Sequence, residues 1–326
     1  MSSNGVIPVI CESIHRRRAI RIEDVRALRK FVYSDALISR DEADAVFELA
    51  AANYPDCPEW RELFAETMSD WLVAQNEPEG FVSEEKADWL VSRIGRAGRV
   101  TSLAEFDLLA MTMEKARATT PGLIRFALSQ MRAAVRSGAS PLRAAKTAPG
   151  SIDPAEIAML RRIIFAASGD NGASVTRDEA EMLFDINDAL TASNPEWDDL
   201  FVKAVVNCVM AASFAAPPDR AEALSRRAWL DSEARVDVGG FLSRMLGGAA
   251  LAMRDDAPDA FTRMNARLDG EIAANAAISH DEAAWLAGRI GRAGRLTDNA
   301  RKILRFIAKE SPKIDPSLQP LIDLAA

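Results

Sequence analysis

Two arginine triplets carry the plainest chemistry in this chain. Arg93, Arg96 and Arg99 recur at three-residue spacing, and Arg289, Arg292 and Arg295 repeat them within the same run, Arg-Ile-Gly-Arg-Ala-Gly-Arg. A guanidinium forks onto a carboxylate or phosphate through two parallel hydrogen bonds, so the triplets fit a pair of pseudo-symmetric anion sites. The simpler reading, and the one expected, is that they are cations on the last turn of a helix, facing the negative end of its dipole. A further basic element lies between Lys115 and Ile152, which holds no Asp or Glu but contains Lys115, Arg117, Arg125, Arg132, Arg136, Arg143 and Lys146. Within it Ile124, Ala127, Leu128, Met131 and Val135 share one helical face, with Arg125, Arg132 and Arg136 on another. Such a helix docks on nucleic acid, on an anionic membrane surface or on an acidic partner, or it ties together acidic parts of its own chain. A net charge of −8 opposes any polyanion, and Phe126 is the only aromatic of the stretch that could stack on a base. The expectation is an internal clamp, with nucleic acid not a partner. His15-Arg-Arg-Arg18, with Arg21, Arg26 and Arg29, forms a second basic cluster.

These residues are positioned by a chain that contains itself twice. Residues 39–64 return as 176–201 with 11 of 26 positions identical, and 83–101 return as 279–297 with 12 of 19. The offset grows from 137 to 196 residues, so both copies run in the same order and the second holds an insertion at 214–274. Insertions are tolerated at surface loops, where few backbone hydrogen bonds are lost. The organisation read from this is an N-terminal segment 1–24, a helical repeat 25–116, a basic helix and linker 117–155, and a second repeat 156–326.

Composition agrees with an all-α chain. Ala, Leu, Arg and Glu abound, and the chain has only 2 Tyr among its 326 residues. No apolar run approaches the length needed to span a bilayer, and the N-terminus lacks the basic and apolar regions of a signal peptide, so the expectation is a cytoplasmic protein. Three cysteines make no disulfide framework. Cys208 aligns with Trp71 and reads as a buried hydrophobe, whereas Cys57 aligns with Asn194 at a helix start. That position suits either a drifted cap or a thiol activated by the helix N-terminus.

Four places share one grammar, an aliphatic residue followed by Ser or Thr and a helix. Ser39, Thr176 and Ser279 are each followed three residues later by Glu, completing a capping box, whereas Ser83 is followed by Lys86. Apolar periodicity then predicts five helices per copy: about 25–33, 39–53, 58–75, 83–95 and 101–116, then 156–167, 176–191, 195–212, 279–291 and 297–310. A sixth spans 121–136, and three more fall in the insertion. Gly98 and Gly294 are placed to end helices in the left-handed conformation. Aligned Trp and Phe residues read as core.

The joints between these helices resemble the degenerate EF-hand and TerB-like group, whose loops run Asp-Gly, any residue, an aliphatic, Ser/Thr/Asp, two residues, Glu. The best match is Ser168-Gly-Asp170-Asn-Gly172-Ala-Ser-Val175-Thr176-Arg-Asp-Glu179. The resemblance implies calcium ligands at Ser168, Asp170, Thr176 and Glu179, with Gly172 and Ala173 departing from the family at the fifth and sixth loop positions. The joints at Arg96-Ala-Gly98 and Arg292-Ala-Gly294 put Ala and Arg where a metal needs carboxylates.

Catalytic groups are sparse. His15 and His280, the only histidines, have no nucleophile or carboxylate at recognisable spacing, and neither a phosphate loop nor a zinc pattern occurs. The function expected is that of a non-enzymatic interaction or scaffold protein, stress-associated by its resemblance to TerB-like modules, that binds a protein partner or itself. The alternatives are a calcium-binding regulator, and anionic-partner binding through the basic linker. Within the insertion, the Gly-rich segment 238–250 is either the contact surface or a helix covering the second core.

Overall fold

The structure, a computed structural model, describes residues 6–33, 38–52, 54–55, 57–75, 78–94, 98–166, 175–211, 278–292, 296–311 and 314–326. The segment 214–274, the loop carrying Ser168 and Asp170, and Arg96, Gly294 and Arg295 lie outside these residues. The described residues are helical, with no strand. In chain order the helices are α1 (Val6–Arg17), α2 (Ile22–Val32), α3 (Arg40–Ala51), α4 (Pro58–Val73), α5 (Glu84–Arg93) and α6 (Leu103–Lys115). Then come α7 (Pro121–Ser137), α8 (Pro154–Ala166), α9 (Arg177–Ala189), α10 (Pro195–Ala211), α11 (His280–Gly291) and α12 (Asp298–Glu310). A 3-10 turn (Pro316–Leu318) leads into α13 (Gln319–Ala325). No described helix is long and apolar enough to cross a membrane.

Side-chain caps start these helices where the sequence placed them. Glu42 returns its carboxylate to the Ser39 N–H at 2.9 Å, Glu179 to the Thr176 N–H at 2.9 Å, and Glu282 to the Ser279 N–H at 2.8 Å. Each bond satisfies a backbone donor that the helix itself leaves free. After Ser83 only half the box forms. Lys86 turns instead to the end of α4, donating to the Trp71 carbonyl and, at 2.9 Å, to that of Gln75, with its ammonium 4.6 Å from the Trp71 ring. Burial pulls this ammonium from 10.5 to about 8. At the end of α7 Gly138 takes φ +66°, and a Cβ there would lie 2.1 Å from the Thr147 carbonyl oxygen. Only glycine fits that turn. Gly98, at φ +75°, makes the left-handed turn expected of it.

Two helices extend the expected set. α1 occupies the N-terminal segment, burying Ile7, Cys11 and Ile14 against α2 and α3. Its apolar residues fall at i, i+4 and i+7, so the run ending in His15-Arg16-Arg17 is the last turn of an amphipathic helix. At the other end α13 packs on α12, with Arg305 Nε donating to the Ala325 carbonyl at 2.6 Å.

Two aromatic knots sit inside the bundle. Phe47 is edge-on to Phe64 and to Trp89, with centroids 5.4 and 5.3 Å apart. Phe184, at the aligned position, is edge-on to Phe201 and Trp285, at 5.0 and 6.1 Å. Burying one such side chain contributes about 1.5–3 kcal/mol, against about 0–1 kcal/mol for an exposed ion pair. The knots therefore hold the helices, and ion pairs adjust the seams between them. Two seams link the earlier helices to the later ones: α6 against α8, and the basic linker helix α7 against α9. In the first, Arg162 Nε contacts Glu114 at 2.7 Å and Arg162 Nη1 contacts Asp107 at 3.3 Å.

Candidate functional site

The arginines that are identical in sequence have different surroundings. On α5, Arg93 places Nη2 2.7 Å from Asp44 Oδ1 and its guanidinium 5.7 Å from the Trp89 ring, leaving the side chain 38% exposed. Trp89 Nε1 donates to the same Asp44 oxygen at 3.1 Å. On α11, Arg289 is only 3% exposed and meets three carboxylates. Its Nε is 2.9 Å from Glu181 Oε2, Nη2 2.7 Å from Asp185 Oδ1, and Nη1 3.2 Å from Asp188 Oδ2. Trp285 Nε1 donates to Glu181 Oε1 at 2.6 Å, matching the Trp89–Asp44 bond. Arg292 lies at 3.7 Å from Glu181 and is largely exposed. Arg99 is exposed.

The three carboxylates fall at i, i+4 and i+7 of α9, one stripe of a helix. That spacing was readable in the sequence and is the signal by which Glu181, Asp185 and Asp188 could have been found. Their partners come from elements far away in the chain, which spacing does not reveal. Burial lifts the Asp188 carboxyl above the usual aspartate value and the Asp185 charge adds to this, while Arg289 works against both.

The basic helix α7 reaches the same stripe. Arg132 Nη1 donates to Asp185 Oδ2 at 2.8 Å, Arg125 lies 3.6 Å from Asp178, and Arg136 lines a cleft of about 440 Å³ with Asp185 and Asp188. The flanking cations are also engaged. Lys115 pairs with Asp70 at 2.8 Å, and Arg143 forks onto Glu156 through Nε at 2.7 Å and Nη2 at 2.6 Å, with both side chains 1% exposed. A buried fork of this kind fixes the linker to the start of α8 and leaves nothing for an outside anion.

Comparison with family models, with curated proteins and with solved structures gives no match. Function therefore has to be read from the chain itself.

The remaining candidate groups are accounted for locally. Glu179 is buried and spends its carboxylate on the Thr176 cap; burial raises its pKa, and the Thr176 N–H and hydroxyl oppose that rise. Ser168 and Asp170, the rest of that ligand set, are outside the described residues. Among the described residues no group of three His, Cys, Asp or Glu is placed to hold a metal. Cys57 takes the cap position of α4 without a side-chain bond, and burial raises its thiol, the opposite of activation by a helix start. Cys208 is buried and its thiol is pushed up to about 12 by desolvation. His15 Nδ1 is 3.0 Å from the Tyr54 hydroxyl, and His280 Nδ1 is 3.2 Å from Asp315 Oδ1, the cap of the 3-10 turn.

Proposed function

We propose that this chain is a non-enzymatic helical scaffold in which two related helical units are clamped together by α7. The observation that supports it most is that two arginines of the acid-free linker helix meet the chain's own carboxylates, Arg132 on Asp185 at 2.8 Å and, in a looser exposed pair, Arg125 on Asp178 at 3.6 Å. Cations engaged in this way would have to give up their own carboxylates before neutralising the phosphates of an outside polyanion. The matched pairs Trp89–Asp44 and Trp285–Glu181, each crossed by an arginine of the triplet, support reading the two copies as related units. The likeness of their joints to TerB-like modules is the reason to place the scaffold with stress-associated interaction proteins. Its contact with a partner, or with a second copy of itself, is assigned to the insertion 214–274. Deleting residues 215–273 tests this assignment. The shortened chain should unfold cooperatively at a temperature close to that of the full chain; a globally unfolded product would make the insertion part of the core.

A further inference from the structure

A cleft of about 470 Å³ opens where α3, α4 and α6 meet, and Ala50, Tyr54, Trp60, Arg61, Leu103 and Ala104 are among the residues lining it. At the 137-residue offset that aligns the copies, Ala50 and Arg61 correspond to Asn187 and Asp198. The 196-residue offset sets Asn299 against Leu103, but the helix caps shift by one residue, and counted from them, Ser102 or Thr297, Ala104 and Asn299 hold the same place. In the second copy these three polar residues close on one another. Asn187 Oδ1 accepts from Trp197 Nε1 at 3.2 Å and from Asn299 Nδ2 at 3.1 Å, and Asn299 Nδ2 also reaches Asp198 Oδ1 at 2.8 Å. Ser193 and Lys302 complete the surroundings of Asp198.

In the first copy two alanines and an arginine replace that network, with three consequences. Space opens where the amides would lie. Trp60 is 2% exposed, yet its indole N–H has no acceptor among the described residues, whereas that of Trp197 has Asn187. Arg61 is half-buried and has no carboxylate partner among the described residues. As the fourth residue of α4 it also lies at the positive end of the helix dipole, a position that suits Asp198 on α10 and disfavours a cation. An indole N–H and a half-buried cation, neither with a partner among the described residues, meet here beside Leu103 and the two alanines, and an acceptor that carries a negative charge and an apolar body would complement all of them.

We propose that this cleft binds a small organic carboxylate with an apolar body. One carboxylate oxygen accepts from Trp60 Nε1, the charge meets Arg61, and the hydrocarbon covers Leu103 and the two alanines. The ligand thus supplies what Asn187 and Asp198 supply in the second copy. The volume is in the range of small-molecule sites. An inorganic anion would leave Leu103 and the alanines uncovered, and a neutral ligand would leave Arg61 uncompensated.

The test is a titration of the full chain with 2-naphthoate and with octanoate, followed through the indole ¹H–¹⁵N signals of its 6 tryptophans. One signal, the one missing in Trp60→Phe, should move saturably. Arg61→Asp, and replacement of 2-naphthoate by uncharged 2-naphthamide, should each weaken binding about tenfold or more. Ala50→Asn combined with Ala104→Asn brings in residues the chain already carries at the corresponding positions; it should abolish the shift while leaving thermal unfolding at least as high. The proposal is overturned if neither acid moves the Trp60 signal up to its solubility limit. It is equally overturned if the amide binds as well as the acid, or if the double Asn variant, which serves should Arg61→Asp fail to fold, still binds.

Discussion

Arg132 on α7 and Arg289 on α11 divide one carboxylate between them, holding Asp185 Oδ2 at 2.8 Å and Asp185 Oδ1 at 2.7 Å. The residue they share belongs to α9, so three elements distant in sequence are fixed at a single point. Each oxygen has its own donor, and neither arginine displaces the other. Asp185 is therefore where α7, α9 and α11 are joined.

Loss of Arg289 should cost far more than loss of Arg93, although the two occupy the same place in the repeated run. Arg289→Ala removes the buried cation that meets Glu181, Asp185 and Asp188 together, leaving only Arg132 on Asp185 and the exposed Arg292 near Glu181, and should lower unfolding free energy by about 3 kcal/mol. Arg93→Ala breaks a half-exposed pair and should cost about 0.5 kcal/mol. Lysine at 289 recovers only part, since a point charge does not fork. Urea unfolding of the three variants measures this; equal costs at the two positions would contradict it.

Asp198 supplies a pH-dependent contribution whose sign is fixed. Burial alone would raise its carboxyl, but bonds from Asn299 and Ser193 and the Lys302 ammonium together bring it below the ordinary 3.8. The folded state then holds this proton less tightly than the unfolded chain does. The stabilisation is present in full above the unfolded value and fades as pH falls through the folded one. The stability gap between the native chain and Asp198→Asn should therefore narrow below about pH 4. A gap that widens in acid would be inconsistent with the bonding described.

Glu179 should behave as a cap residue. Glu179→Ala should reduce stability by about 1 kcal/mol, the usual value of a lost cap interaction. Calorimetry with calcium should give the same trace for the native chain and the variant. A binding heat that disappears with Glu179 would favour the EF-hand-like reading of this loop instead.

Two glycines with similar backbone angles should respond differently to alanine. At Gly98 a Cβ meets nothing within 4 Å, so the substitution carries only the left-handed penalty of about 1 kcal/mol. At Gly138 the added carbon collides with the Thr147 carbonyl, and the cost should exceed that of Gly98→Ala by at least about 1 kcal/mol. Thermal unfolding of the two variants compares them directly.

What could be read from the sequence follows the range of the forces involved. Ser39, Thr176 and Ser279 announce helix starts because the capping box closes within three residues. Phe47, Trp60 and Trp89 announce a core by their spacing. α1 was hidden because His15-Arg-Arg-Arg18 draws attention to charge, while Ile7, Cys11 and Ile14 carry the face that packs. The contrast between Arg93 and Arg289 was hidden for a different reason. Asp185 and Asp188 align with Glu48 and Ala51, so the copies differ on α9 and α3, far from the identical arginine runs. The cleft beside Trp60 likewise depends on Ala50, Arg61 and Ala104 meeting from three helices, and no local pattern marks them.

The clamp is tested most directly by reversing Arg125, Arg132 and Arg136 to Glu in the full chain. The account predicts that the melting temperature falls by about 5 °C or more, and that the native chain shows no retention of DNA, RNA or anionic vesicles in a filter assay even at low salt. It further predicts partial recovery when Arg125→Glu is paired with Asp178→Arg, which a general charge effect would not give. An unchanged melting temperature, together with salt-sensitive retention by the native chain that the triple variant loses, would contradict the clamp and make α7 a surface for an outside polyanion.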